Sequence, residues 1–75
     1  MKEYFYLLQL KNKIPKEEKE LINLIKEFEL IKNDEELKEF ATKNNIPINF
    51  DAQFSELLDR VAFELIEKIY EKINR

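Results

Sequence analysis

Apolar residues along the chain fall into four groups separated by polar breaks, and the spacing differs from group to group. In the second group Leu21, Leu24, Ile25, Phe28 and Ile31 recur every three or four residues, which predicts a helix over residues 16–32 with Pro15 in its first turn. Ile22 and Leu30 lie off that stripe, so the apolar face is wider than one neighbour requires. The fourth group predicts a helix of about 24 residues running to the C-terminus, about twice the average length, with Asn49 or Asp51 as its cap. One of its stripes is Phe54, Leu58, Val61, Leu65, Ile69 and Ile73, and a second, Phe63, Ile66 and Tyr70, lies beside it. Two adjacent stripes call for two neighbours.

The other two groups are shorter. Residues 4–10, Tyr-Phe-Tyr-Leu-Leu-Gln-Leu, form an almost continuous apolar run, and periodicity alone leaves helix and buried strand both open. A short helix is the reading adopted. Asn33 and Glu36 have capping-box spacing, so a helix carrying Leu37, Phe40 and Ala41 should start there and end at Asn44-Asn45. Pro47 biases Ile46 away from helix, and an extended stretch should follow. The expected fold is all-α: one domain over residues 1–75, a small bundle of three to four helices with a long C-terminal amphipathic helix, completed by dimerisation.

The case for dimerisation rests on size. A chain of 75 residues has a marginal core when folded alone, yet this one carries ten Leu, nine Ile, six Phe and three Tyr. Three short partners should not cover the final helix, so a homodimer interface is expected at Val61, Leu65, Ile69 and Ile73, with Phe63, Ile66 and Tyr70 beside them. The four-residue pairs Glu56 with Arg60, Glu64 with Lys68 and Glu71 with Arg75 mark the solvated face, each worth about 0.3–0.5 kcal/mol.

Composition narrows the chemistry more than the fold. There is no Gly, His, Cys or Trp, which removes glycine-rich phosphate loops, imidazole or thiolate catalysis, disulfides and the usual metal ligands. No cofactor or metal is expected. The remaining nucleophiles, Ser55 and Thr42, lack an imidazole, and a Ser55–Lys43 arrangement is the one formal alternative. Carboxylate pairs such as Glu35 with Glu39, or Glu67 with Glu71, read as solvated surface acids rather than general acids and bases. The net charge of −3 offers no attraction to phosphate backbones or anionic lipid. No stretch approaches the roughly eighteen apolar residues that cross a bilayer, and the N-terminus lacks a signal-peptide pattern, so a cytoplasmic protein is expected.

The segment Leu37-Lys38-Glu39-Phe40-Ala41-Thr42-Lys43-Asn44-Asn45-Ile46 resembles the first helix and turn of helix-turn-helix DNA-binding domains, with Asn45 where glycine usually turns the chain. That resemblance implies a DNA-reading regulator. It covers about ten residues and then departs, since residues 47–50 lengthen the turn and the would-be recognition helix presents Asp51, Gln53, Ser55, Glu56 and Asp59 with Arg60 as its one basic residue. Asn33 to Ala41, with Ile46 to Phe54 after it, is also faintly similar to the helical leaders of modified bacterial peptides, but a charged amphipathic helix stands where their small-residue cleavage site would be.

Three functions are carried forward. The first is a non-enzymatic, regulatory protein–protein interaction module, homodimeric, with Tyr4, Phe5, Tyr6, Asp59 and Glu67 as further partner-binding residues. The second is a small acidic inhibitor (an antitoxin, immunity protein or phage-encoded defence inhibitor) that blocks a basic surface. The third is the DNA-binding regulator, with nucleic acid the least expected partner.

Overall fold

The computed structural model describes residues 1–74 and contains, among them, four helices and no strand: α1 (Lys2–Lys11), α2 (Lys19–Glu29), α3 (Asp34–Lys43) and α4 (Phe54–Ile73). The ambiguous N-terminal run is therefore a helix. Its ladder bonds are satisfied within the segment, as an isolated strand's could not be. Three-residue spacing sends Leu7 and Leu10 inward with Tyr4 half-buried, while Phe5 and Tyr6 stay outside.

Two boundaries differ from those the spacing predicts. Pro15 does not enter α2; its carbonyl accepts the Glu18 N–H at 3.0 Å, closing a turn before the helix starts at Lys19. The anchor is Ile14, which is buried in the core and holds the adjoining proline outside the helix. At the other end α2 stops at Glu29, because Asn33 is already extended (φ −149°, ψ 172°) as the cap of α3. Leu30, at the turn, is left 70% exposed.

Both expected caps of α3 form. Asn33 Oδ1 accepts the Glu36 N–H at 2.9 Å, and Glu36 Oε1 accepts the Lys32 N–H at 2.8 Å, one residue earlier than in the usual reciprocal box. At the C-terminal end Ile46 N–H reaches the Ala41 carbonyl at 2.8 Å and Asn45 N–H reaches Thr42 at 3.3 Å, the two bonds of a Schellman motif. Asn45 sits at φ 56°, left-handed, and Ile46 and Ala41 are both buried at the joint. Asn45→Ala is expected to destabilise by about 1 kcal/mol, the cost of a Cβ without a local hydrogen-bonding side chain in that region, whereas Asn45→Gly should not destabilise. Urea unfolding followed by helicity checks both; equal losses would show that the cap does not matter.

The chain is non-helical through residues 46–53, with a bend at Ala52, so α4 is twenty residues long and is capped by Gln53 without a side-chain bond. Neither expected cap, Asn49 or Asp51, serves. Asp51 is paired with Arg60 at 3.2 Å instead. Burial holds the segment down: Ile46 enters the core, and Ile48 and Ala52 pack against its edge.

α4 is the spine of the fold, and α1 lies along it. Leu57, Val61, Leu65 and Ile69 are fully buried or nearly so, with Leu58, Ala62 and Ile66 beside them. Phe28 of α2 is completely enclosed, its ring 5.6 Å from that of Tyr4 and 5.5 Å from that of Phe40. Ion pairs tie the outside, Lys11–Glu29 at 2.9 Å between the ends of α1 and α2 and Lys72–Glu20 at 3.3 Å between α4 and α2. Partly exposed pairs of this kind are worth about 0–1 kcal/mol each. No helix among the described residues is long and apolar enough to cross a membrane.

This packing corrects the expected dimer face. Val61, Leu65, Ile66 and Ile69 are covered by the chain itself, so they are core rather than available surface; of the expected set only Phe63, Tyr70 and Ile73 remain exposed. The shortfall of cover anticipated from helix lengths is made up by Ile14, Ile46, Ile48 and Ala52, which lie outside the helices.

Candidate functional site

Helical periodicity on two elements produces an aromatic seam between α1 and α4. Phe5 (58% exposed) and Tyr6 project from α1, Phe63 (48% exposed) and Tyr70 from α4, and the hydroxyls of Tyr6 and Tyr70 hydrogen-bond across the joint. That bond, together with some desolvation and the neighbouring phenol, raises the Tyr70 pKa above its ordinary value near 10. Tyr4, expected to share this surface, turns inward against Phe28, because it lies three residues from Leu7 on the buried face.

Beside the seam is a groove of about 440 Å³, bounded by the start of α1, residues 47–49 and the first turns of α4. Pro47, Ile48 and Phe63 supply its apolar surface, and Glu3, Glu56, Asp59 and Glu64 supply carboxylates. Arg60 is the one cation among its lining residues, held by Asp51 at 3.2 Å and Glu56 at 3.4 Å, and the Met1 ammonium stands 4.0 Å from Asp59 Oδ1. A second cleft of about 460 Å³, lined by Lys2, Phe5, Tyr6 and Gln9, shares Glu3 as its wall. The contribution of Glu3, Pro47 and Ile48 was not legible in the sequence, where none of them belongs to a periodic stripe or motif.

Asp59 and Glu67 have different roles from each other. Asp59 Oδ1 accepts the Tyr4 N–H at 2.9 Å, so a carboxylate from α4 caps an orphan donor in the first turn of α1, where Met1 supplies no side-chain cap. It belongs to the fold, and reversing it is not a neutral probe of a partner surface. Asp59→Ala is expected to cost about 1 kcal/mol, as for other lost caps, and Asp59→Asn, which keeps an acceptor, clearly less. Equal melting temperatures for wild type and Asp59→Ala would remove this role. Glu67 is exposed near Tyr70 and Glu71.

Of the expected helical pairs, Glu56–Arg60 forms. Lys68 turns away from Glu64 and donates to the Asn44 carbonyl at 2.5 Å, fastening α4 to the end of α3. The Glu71–Arg75 pair involves a position outside the described residues.

Ser55 and Thr42 are exposed, and Lys43 pairs with Glu27 at 3.0 Å rather than with Ser55. Among the described residues no polar or charged side chain is buried, and no group of three metal-binding side chains assembles, Glu35 with Glu39 and Glu67 with Glu71 included. Residues 44–53 separate α3 from α4, far more chain than the three- or four-residue turn of a helix-turn-helix, so the local resemblance at residues 37–46 does not extend to that motif. No family model, no curated protein and no solved structure matches this chain.

Proposed function

We propose that the protein is a non-enzymatic, regulatory interaction module that acts by binding another protein through the α1–α4 seam. The observation that carries this reading is the set of four exposed aromatic side chains on the packed pair α1 and α4, Phe5, Tyr6, Phe63 and Tyr70, two of them joined by their hydroxyls. Large aromatic side chains held in place by a rigid pair of helices are the usual anchors of protein interfaces. Homodimerisation belongs to the same proposal, with Tyr70 and Ile73, which lie outside the acidic groove, as its contacts in place of the buried stripe. Sedimentation equilibrium at micromolar concentration tests it; a folded monomer throughout would remove self-association and leave the partner-binding role. That role is tested by affinity capture with cross-linking from the native host, comparing wild type with Tyr70→Asp. Loss of a specific partner by a variant with unchanged helicity supports the seam, and undiminished capture counts against it.

One observation favours the inhibitor reading as second. Four carboxylates surround the groove against one arginine, in a chain of net charge −3. A basic target surface would be complementary to it, and the rate of association with such a target would fall steeply with salt.

A further inference from the structure

The groove and the seam differ in what they can accept, and the difference lies in charge. Asp59 is engaged by the Tyr4 N–H, and Glu56 and Asp51 share Arg60. Glu3 and Glu64 are both half-buried at the groove, and among the described residues neither has an ion-pair partner. Phe63, Pro47 and Ile48 line the same groove and supply its apolar surface. An apolar or acidic occupant would strip water from two carboxylates and return nothing to them, which is unfavourable. A cationic occupant pairs with both while covering that apolar surface.

We propose that this groove receives a basic, amphipathic segment of a partner protein, its apolar side chains resting on Phe63 and Ile48 and its lysines or arginines meeting Glu3 and Glu64. The assignment rests on the interaction-module reading and names the chemistry of its partner. A polypeptide fits better than a small amine because the groove of about 440 Å³ offers apolar surface at Phe63, Pro47 and Ile48 beside its carboxylates, and a small amine would meet the acids and leave that surface uncovered. A second copy of this chain is a poor occupant, since its net charge is −3 and the groove is acidic. Phosphate-bearing partners meet the same repulsion.

The test uses the full chain and a fluorescein-labelled synthetic helix with leucines on one face flanked by lysines, beside versions carrying Glu for Lys or Ser for Leu. Saturable anisotropy binding of the lysine–leucine peptide is expected, weakening with salt and weakened about tenfold by Glu3→Lys with Glu64→Lys and by Phe63→Ser, each variant checked for unchanged helicity. Backbone amide shifts should concentrate at Glu3, Ile48, Phe63 and Glu64. No saturable binding, equal binding of the glutamate peptide, indifference to the charge reversal, or shifts confined to another face would each overturn the assignment. So would spermine occupying the same amides as tightly as the peptide, which would give the groove to small cations. If host capture survives Glu3→Lys with Glu64→Lys but is lost in Tyr70→Asp, the groove assignment fails while the interaction module stands. If nothing is captured and no peptide binds, both fail.

Discussion

Phe28→Ala is expected to leave the chain largely unfolded at physiological temperature. The ring is fully enclosed, with Tyr4 on one side and Phe40 on the other, so it joins α1, α2 and α3 at one point. Truncating a buried phenylalanine costs about 3–5 kcal/mol, the lost transfer energy plus the cavity that neighbours cannot collapse into. A domain this small has a total stability of only about 5 kcal/mol, so the loss is comparable to the whole. Leu24, on the same predicted stripe, is the control. It is half-buried at the edge of the core, and Leu24→Ala should cost about 1 kcal/mol, less than its place in the periodic pattern suggests. Thermal and urea unfolding by circular dichroism compare the two. Similar small displacements for both would show that Phe28 is not the joint described.

Val61→Asp is the second large effect, and it separates core from interface. Val61 is fully buried within the single chain, and among the described residues no cation lies in that core to pair with a carboxylate. The variant must bury a charge, neutralise it or unfold, and the expected cost exceeds about 4 kcal/mol. The chain should therefore be unfolded at every concentration. Were Val61 on a surface between two copies, the same substitution would give a folded monomer. Ile73→Asp, at an exposed position near the end of the same helix, should change stability by no more than about 0.5 kcal/mol. Sedimentation velocity with circular dichroism distinguishes the outcomes, and a folded monomeric Val61→Asp protein would return the stripe to an interface.

What was legible in the sequence is what depends on neighbours a few residues away. The helix around Phe28, the helix ending at Ile73, the Asn33–Glu36 start and the Asn44-Asn45 stop all follow from spacing of three to five residues, because helical periodicity and capping bonds are local. Local rules also explain the misplacements. Pro15 and Asp51 suit a helix start, but burial of Ile14 and of the segment around Ile46 and Ile48 outweighed them, since large side chains withdrawn from water contribute more than one cap. Only the tertiary structure decided which apolar stripe of α4 would be covered. The two stripes read alike in sequence, yet Val61, Leu65 and Ile69 of the first went inside while Phe63 and Tyr70 of the second stayed out, with Ile66 alone of that stripe buried. It likewise made Asp59 a cap for Tyr4, joined Tyr6 to Tyr70 and set Glu3 beside Glu64 and Phe63, across separations of more than fifty residues. Such pairings leave no periodic trace, because they arise from how whole helices pack and not from the preferences of any one segment.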